Sequence, residues 1–295
     1  MYKSGFIAII GRPNAGKSTL LNALLEEKVA ITSPKPQTTR DNVMGILTMS
    51  DAQLIFTDTP GIHKPHHQLG KHLNRNAYTA IAEADINYVI IDVTKPFGKG
   101  DEFLLSRLQG SEVPTFLIVN KIDQLPKEKL IHELMQWQTR FVFAEIIPIS
   151  ALKKENLDQL LQVTLHYLKE GVQYFPETVI TDHNESFQVA EIIREKVLYK
   201  TEEEIPHSVA VVTEAMEPYD NRIDIRALII VERQSQKGIL IGKQGAMIRS
   251  VRLDAQKELK RKFGKRVELE LYVRVEKNWR NRSHKLMQLG YGDNE

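Results

Sequence analysis

A glycine-rich octapeptide near the N-terminus constrains this chain more than any other feature. Residues 11–18 read GRPNAGKS and match the phosphate-loop pattern G-x-x-x-x-G-K-S at every fixed position. Apolar residues 5–10 precede the loop, and a helix-forming run follows it. A strand, a loop and a helix in this order direct backbone N–H groups and the positive end of a helix dipole at one anion. The sequence therefore predicts a nucleotide phosphate site formed by Gly11, Asn14, Ala15, Gly16, Lys17, Ser18 and Thr19.

Two later segments have the composition of loops that respond to a bound phosphate. Residues 33–40 contain two prolines and show no helical or alternating period, which is typical of a mobile switch segment. In this segment Thr39 is the candidate ligand of Mg²⁺, with Thr38 as the alternative. Ser18 of the phosphate loop supplies another hydroxyl ligand. Residues 57–61, TDTPG, follow a predicted strand. We expect Asp58 to hold Mg²⁺ through water and Gly61 to approach the γ-phosphate, with Lys17, Asn14, Thr39 and Gly61 contributing to catalysis.

The chain alternates between apolar strands and amphipathic helices after these loops. We predict strands at 43–48, 53–56, 86–92, 115–119 and 145–149, and helices at 69–82, 101–108 and 157–168. This alternation predicts an α/β fold with a mostly parallel sheet covered on both faces. Ligands bind beyond the carboxyl ends of the strands in such sheets, and every motif described so far falls there.

The tetrapeptide NKID, residues 120–123, indicates which base is bound. An Asp123 carboxylate can accept hydrogen bonds from N1–H and the exocyclic amine of guanine, whereas adenine would leave it unpaired, a difference on the order of 10⁴ in selectivity. We expect Asn120 to tie this loop to the phosphate loop and the Lys121 stem to cover one face of the base. Ser150 and Ala151 end the next strand, and the Ala151 N–H is expected to meet the guanine carbonyl. Together these motifs predict a GTP site.

The charge distribution separates the C-terminal part of the chain from the rest. The net charge is only +2, yet residues 237–285 hold 15 Lys or Arg against 5 Asp or Glu, which indicates a polyanionic partner. The absence of cysteine excludes disulfides and thiolate zinc sites, so for His63, His66 and His67 we favour solvated loop histidines over the alternative of a metal site. No run has the length of a membrane span and no signal peptide is recognised, so we expect a cytoplasmic protein.

The basic part contains a second glycine motif. Residues 239–249 read ILIGKQGAMIR, and we expect an apolar turn, a G-x-x-G loop and then a helix with a basic outer face. Such a loop brings backbone N–H groups against about four nucleotides of unpaired nucleic acid. The predicted RNA-binding residues are Ile239, Ile241, Gly242, Lys243, Gln244, Gly245 and Arg249. We also predict helices at 187–198 and 282–289 and strands at 209–212, 223–232 and 267–275.

These motifs together resemble one known family. GRPNAGKS, PQTTR, DTPG, NKID and SA, followed by ILIGKQG and the ending ELELYVRVEKNW…LGYG, closely resemble the Era family of bacterial GTPases, in this order and over essentially the whole chain. The resemblance implies a Ras-like GTPase domain of the Era and TrmE type at 1–172, a linker at 173–183 and a type II KH domain at 184–295. It further implies GTP or GDP with Mg²⁺ as cofactors, the 3′ end of 16S rRNA and the 30S subunit as partners, a monomer, and peripheral association with the inner membrane.

One residue departs from the pattern of Ras-type switches. Those proteins carry a Gln directly after the Asp-x-x-Gly motif to orient the attacking water, whereas this chain has Ile62. We therefore expect slow hydrolysis and hypothesise that Asn14 helps to bind K⁺ near the phosphates; a loop-stabilising role for Asn14 remains the alternative. For function, we expect a GTP-hydrolysing switch that licenses RNA binding and assists 30S assembly. The alternative is a constitutive RNA-binding factor with a mainly structural nucleotide, and a membrane-remodelling GTPase is disfavoured because no apolar insertion segment is found.

Overall fold

The computed structural model describes residues 1–62, Pro65 and residues 67–291. The chain forms two compact units. The first contains Met1–Thr32, Thr39–Pro65 and Leu73–Asp182, and the second contains Ser33–Thr38, His66–His72 and His183–Glu295. The chain therefore passes from the second unit to the first between Thr38 and Thr39, inside the predicted switch segment.

The first unit is built on a six-stranded sheet. Its strands are β1 (Lys3–Gly11), β2 (Val43–Thr48), β3 (Ala52–Asp58), β4 (Ile86–Asp92), β5 (Thr115–Asn120) and β6 (Glu145–Pro148). Their order is β2-β3-β1-β4-β5-β6, and every neighbouring pair is parallel except β2 with β3. The predicted α/β fold with a mostly parallel sheet is confirmed.

Helices cover both faces of this sheet. They are α1 (Lys17–Leu25), α2 (Gln68–Glu83), α3 (Lys99–Leu108), α4 (Lys127–Gln138) and α5 (Leu157–Tyr167). Alternate residues of β1 enter different cores: Ile7 and Ile9 pack with α1 and α5, whereas Ala8 and Ile10 pack with α2, α3 and α4. The predicted nucleotide motifs lie at the carboxyl ends of β1, β3 and β5, which share one edge of the sheet.

Residues 173–182, expected to be a linker, make hydrogen bonds to the edge of this sheet. The Gln53 side chain accepts hydrogen bonds from the backbone N–H groups of Tyr174 and Phe175, and the Ile46 N–H donates to the Ile180 carbonyl. The bond from Ile46 satisfies a backbone group of the outermost strand, β2, which would otherwise be open.

The second unit has a three-stranded sheet in which β7 (Ala210–Pro218) is antiparallel to β8 (Arg222–Val231), and β8 is parallel to β9 (Arg266–Val275). Its helices are α6 (Glu185–Lys200), α7 (Ile205–Ser208), α8 (Gln234–Ile241), α9 (Ala246–Phe263) and α10 (Ser283–Gln288). Buried side chains on α6 and α9 form its core together with the sheet. Among the residues described, no helix has the length and apolar character needed to cross a membrane.

The apolar turn expected at 239–241 is the last turn of α8. The Gln236 side chain accepts hydrogen bonds from the backbone N–H groups of Glu232 and Arg233, 3.0 Å each, and so starts the helix. Leu240 is buried while Ile239 is 54% exposed, so one apolar residue anchors the helix and its neighbour stays open to solvent. The G-x-x-G loop therefore connects two helices.

Candidate functional site

The phosphate loop takes its shape from two close approaches of the backbone. A Cβ atom on Gly16 would lie 2.2 Å from Asn120 Nδ2, and φ at Gly16 is 106°, which favours glycine. A Cβ atom on Gly11 would lie 2.4 Å from the Ile90 carbonyl oxygen. Ala15 is buried, and α1 starts at Lys17, so that Ser18 and Thr19 lie in its first turn. The backbone N–H groups of this turn have no helical acceptor and point out of the helix start.

Lys17 is a buried cation with weak partners. The residue is 6% exposed, and its Nζ donates to the carbonyl oxygens of Gly11 and Arg12 at 3.4 and 3.3 Å. Burial lowers the pKa of Lys17 below its ordinary value, and the charge of Asp58 opposes that shift. Carbonyl oxygens at these distances compensate a buried ammonium poorly. An anion at the loop, such as a nucleotide phosphate, would complete its coordination.

Three oxygen-bearing side chains meet beside Lys17. Ser18 Oγ donates to Asp58 Oδ2 at 2.6 Å, and Thr39 Oγ1 lies 3.0 Å from Ser18 Oγ and 3.2 Å from Asp58 Oδ2. Asp58 is fully buried, and its Oδ1 has no hydrogen-bond partner among the residues described. Burial raises the pKa of Asp58, opposed by the charge of Lys17 and the hydrogen bonds from Ser18 and Thr39. Hydroxyl and carboxylate oxygens are the ligands that Mg²⁺ prefers, so this donor set fits that ion.

Thr38 has different partners from Thr39. Its Oγ1 donates to the Lys35 carbonyl at 2.7 Å and lies 2.8 Å from Ser33 Oγ, which closes a turn within the segment Ser33–Thr38. The Thr38 carbonyl accepts a hydrogen bond from Arg194, a fully buried residue of α6 in the same unit. The side chain of Thr38 is thus occupied away from Ser18 and Asp58.

Gly61 lies against the phosphate loop, because a Cβ atom there would be 2.9 Å from Pro13 Cγ. Ile62 is 4% exposed and packs in the core that contains Ile10 and Val93. Its side chain is directed into that core, so neither its chemistry nor its position suits the orientation of an attacking water.

The residues predicted to recognise the base form a connected network. Asn120 is buried, its Nδ2 donates to the Ala15 carbonyl at 2.9 Å, and its Oδ1 accepts from the Ala151 N–H at 3.0 Å. Ser150 Oγ donates to Asp123 Oδ1 at 2.6 Å, and Asp123 is exposed. The Ala151 N–H, expected to meet a guanine carbonyl, has the Asn120 side chain as its partner here. The physical reason is that Asn120 links the phosphate loop to the residues after β6.

Lys121 is held by two oxygens at the edge of this network. Its Nζ donates to Asp92 Oδ2 at 2.6 Å and to the Asn14 carbonyl at 3.0 Å. Burial alone would raise the pKa of Asp92, but hydrogen bonds from Lys121 and Thr94 bring it below its ordinary value. The Lys121 stem is therefore fixed along the phosphate loop. The Asn14 residue itself is exposed, with φ of 64°.

Arg12 was not singled out from the sequence. Its guanidinium donates to Asp101 Oδ2 at 3.0 Å and to the Pro96 carbonyl at 3.3 Å, which fastens the phosphate loop to the start of α3. Asp101 is 5% exposed and also accepts from the Gly98 N–H at 2.9 Å. The position of Arg12 directly after Gly11 was the only signal in the sequence, because its partner lies 89 residues away.

The histidines that follow Gly61 provide no metal site in the part of the chain that can be described. His63 and His66 lie outside the described residues, and His67 is half-buried. Across residues 1–62, 65 and 67–291, no three His, Cys, Asp or Glu side chains cluster as a metal site would require.

The G-x-x-G loop of the second unit has three residues at positive φ. Gly242, Gln244 and Gly245 have φ of 72°, 52° and 78°. A Cβ atom on Gly242 would lie 2.8 Å from Met247 Cβ, whereas the space around Gly245 is open. The loop leads directly into α9, and the N–H of its first residue, Ala246, donates to the Lys243 carbonyl. Lys243, Gln244 and Arg249 are exposed or half-buried, and Ile241 is half-buried.

Comparisons with known proteins agree with this division. Residues 6–121 match the family model described as 50S ribosome-binding GTPase, and residues 204–280 match the model described as KH domain. The first match includes most of the six-stranded sheet, and the second includes the whole three-stranded sheet.

Two solved structures are similar to the whole chain. A crystal structure of Era in complex with MgGDPNP and nucleotides 1506–1542 of 16S ribosomal RNA is 39% identical, with a TM-score of 0.96, and the match covers 99% of this chain and 100% of that one. Aquifex aeolicus Era, as a single-residue variant bound to GDP and AlF₄⁻, is 40% identical, with a TM-score of 0.95 and the same coverage.

Identity at this level over the full length of both proteins, together with the two family matches and the shared order of motifs, shows the family. The chain belongs to the Era family, with a Ras-like GTPase domain followed by a KH domain.

Proposed function

We propose that this protein is a GTP-hydrolysing switch that binds the 3′ end of 16S rRNA through its KH domain and assists assembly of the 30S subunit. The observation that carries the nucleotide part is the cluster of Ser18, Thr39 and Asp58 beside the buried Lys17. That cluster has the donor set for Mg²⁺ and a cation in need of an anion. The RNA part is supported by the exposed G-x-x-G loop and by the RNA bound to the similar Era structure.

A guanine nucleotide with Mg²⁺ would be held by residues from four segments. Lys17 and the loop N–H groups would hold the β- and γ-phosphates, and Ser18, Thr39 and Asp58 would surround Mg²⁺, directly or through water. Asp123 would accept hydrogen bonds from guanine. The contacts of Thr39 favour it over Thr38 as the metal ligand, since the Thr38 side chain is engaged with Lys35. When bound, Mg²⁺ neutralises charge that develops on the phosphates.

Slow hydrolysis is part of this proposal. Ile62 packs in the core, and its aliphatic side chain cannot orient water. Asn14 is exposed at the phosphate loop, where a K⁺ ion would be near the phosphates; its positive φ also fits the alternative of a loop-stabilising residue. Comparison of GTP hydrolysis in K⁺ and Na⁺ buffers, with wild type and Asn14→Ala, separates these roles. Equal rates in both salts would exclude the K⁺ site.

The switch is supported by the chain path. Ser33–Thr38 belongs to the second unit and Thr39 to the first, so a γ-phosphate that reorders Thr39 acts on a segment attached at Thr38 to α6.

We further propose a cytoplasmic monomer that associates peripherally with the inner membrane, on the basis of the family resemblance alone. The family model that matches residues 6–121 is described as 50S ribosome-binding GTPase. Our proposal of the 30S subunit rests instead on the 16S rRNA that is bound in the similar Era structure.

The alternative function, a constitutive RNA-binding factor with a structural nucleotide, differs in thermodynamic linkage. If GTP raises RNA affinity, RNA must raise GTP affinity by the same factor. We would measure the affinity of an oligonucleotide from the 16S rRNA 3′ end with a GTP analogue and with GDP at one salt concentration. A difference of about tenfold is expected for a switch. Equal affinities in the two nucleotides would favour the constitutive factor.

A further inference from the structure

Arg12 connects the phosphate loop to a segment that none of the nucleotide motifs includes. Its Nη1 donates to Asp101 Oδ2 at 3.0 Å and to the Pro96 carbonyl at 3.3 Å. Pro96 lies between β4 and α3, and Asp101 lies in the first turn of α3. The side chain of Arg12 is therefore directed toward α3, while its backbone forms part of the phosphate loop.

Two glycines before Asp101 leave room for the arginine. A Cβ atom on Gly100 would lie 3.4 Å from Arg12 Cγ, and a Cβ atom on Gly98 would lie 3.8 Å from Arg12 Nη1. The aliphatic stem of Arg12 thus passes along Gly100 with no side chain between them. This close passage carries the guanidinium to the carboxylate of Asp101.

Asp101 has the burial that makes this ion pair matter. The residue is 5% exposed, and its Oδ2 also accepts a hydrogen bond from the Gly98 N–H at 2.9 Å. A buried carboxylate is costly unless a cation and hydrogen bonds compensate it. The exposed pair of Lys154 with Glu26, by contrast, has side chains that are 55% and 79% exposed and contributes little free energy. Arg12 is therefore held more firmly than an arginine at the surface.

The backbone carbonyl of Arg12 holds two groups of the phosphate loop. It accepts hydrogen bonds from the Ala15 N–H and from Lys17 Nζ, at 3.3 Å each. The other carbonyl to which Lys17 Nζ donates is that of Gly11, directly before Arg12. The position of the buried ammonium consequently follows the position of the Arg12 backbone. A shift of this backbone would move the cation that is expected to meet the β- and γ-phosphates.

The residue after Arg12 supports the other side of the phosphate site. A Cβ atom on Gly61 would lie 2.9 Å from Pro13 Cγ and 3.0 Å from Pro13 N, so the backbone of Gly61 rests on Pro13. Gly61 is the residue expected to approach the γ-phosphate. Because GDP lacks that phosphate, a displaced Pro13 should affect GTP more than GDP.

Resting on the proposed nucleotide site, we propose that Arg12 is a positioning residue for the triphosphate. Its ion pair with Asp101 fixes the backbone of Arg12, and this backbone places the Lys17 ammonium and the support of Gly61. The guanidinium contacts neither phosphate nor Mg²⁺ in this role, since it is engaged by α3. A misplacement of about 1 Å in such a site can cost on the order of a hundredfold in rate, so a remote ion pair can have a large effect.

Nucleotide affinities of full-length variants provide the test. Arg12→Met keeps the stem along Gly100 and removes the guanidinium, and Asp101→Asn removes the carboxylate charge. Each is expected to weaken GTP binding about tenfold and GDP binding about threefold, and the double variant should bind no more weakly than the weaker single one. The matched controls are Glu102→Gln and Arg107→Gln, which remove exposed charges from the same helix and should leave both affinities unchanged.

A second ratio separates positioning from a loss of structure. Inosine diphosphate lacks the exocyclic amine that Asp123 is expected to bind, so the preference for GDP over it reports the base site. Arg12→Met should leave this preference unchanged while the affinity ratio of GTP to GDP falls about threefold. Circular dichroism of each variant checks that it is folded. If Arg12→Met does not fold, Asp101→Asn, which keeps the size of the side chain, carries the same test.

Each outcome has one meaning. If wild type binds neither GTP nor GDP, the proposed nucleotide site itself fails. If wild type binds both and the Arg12 and Asp101 variants match Glu102→Gln, the positioning role is overturned and the nucleotide site stands. Equal losses for GTP and GDP, with a weaker preference for GDP over inosine diphosphate, would show a general loosening of the domain and would also overturn it. So would additive losses in the double variant, because the two side chains would then act independently.

Discussion

The phosphate loop and the G-x-x-G loop use the same backbone device in opposite surroundings. Both have glycines at positive φ immediately before a helix, and a helix N-terminus favours an anion. At Gly16 the space for a side chain is filled by Asn120, whereas at Gly245 it is empty. Lys17 is buried, whereas Lys243 is not. The first loop suits one ligand held in a fixed position, and the second suits a flexible strand that moves along a surface.

The largest expected effect is at the buried cation. Lys17→Ala should lower nucleotide affinity on the order of a thousandfold, because a bound phosphate would be deprived of a buried positive partner. Exposed Lys127→Ala on α4 is the matched control and should bind normally. Titration with a fluorescent GDP derivative measures both. Tight binding by Lys17→Ala would mean that the first loop is not the phosphate site.

Base selectivity should change at Asp123. Asp123→Asn removes the acceptor for the guanine N1–H and amine, so GTP affinity is expected to fall about a hundredfold. Xanthosine triphosphate, which presents a carbonyl in place of the amine, should become the better ligand of the variant. Competition between the two nucleotides for the same protein gives the ratio directly. An unchanged preference for GTP would remove Asp123 from the base site.

The exposed loop should respond to an added side chain and its charge. Gly242→Asp places a carboxylate where a phosphate is expected and should weaken RNA binding about a hundredfold while leaving GTP affinity unchanged. Gly264→Asp is the control, since Gly264 has φ of 65° with open space around it and lies at the other end of α9. Equal RNA affinity for both variants would place the RNA elsewhere.

The smallest expected effects are changes in the free energy of unfolding when a glycine of either loop is replaced. Gly16→Ala combines positive φ with a clash against Asn120 and should lower the free energy of unfolding by about 3 kcal/mol. Gly245→Ala has only the cost of its φ, about 1 kcal/mol. Denaturant unfolding of each variant, followed by circular dichroism, measures the difference. Similar reductions would show that the two loops are equally constrained.

The sequence predicted most where chemistry fixes both residue type and spacing. GRPNAGKS, NKID and IGKQG each need particular residues at particular intervals, and the strands around them follow from their apolar runs. The sequence analysis did not assign helix α4, although Leu130, Leu134 and Trp137 have the spacing of one helical face and pack in the core. The first residue of α8 could not be read from the apolar run, because the Gln236 cap lies upstream of it.

Contacts between distant parts of the chain could not be read from the sequence. The bond from Arg12 to Asp101 and the pairing of Leu228 with Tyr272 both depend on register and topology. The predicted tie between Asn120 and the phosphate loop is present in the structure, whereas the partner of the Ala151 N–H differs from the expected one. A side chain that bridges two loops can occupy a group that a ligand was expected to meet.

The central claim is that guanine nucleotide and unpaired RNA occupy separate units of one chain. Photocrosslinking of full-length protein with 8-azido-GTP and with a 4-thiouridine oligonucleotide from the 16S rRNA 3′ end, followed by peptide mapping, tests it directly. The nucleotide should label peptides from residues 11–19 and 120–151, and the RNA should label peptides from 234–249. RNA crosslinks confined to residues 1–182, or nucleotide crosslinks beyond residue 183, would contradict the account.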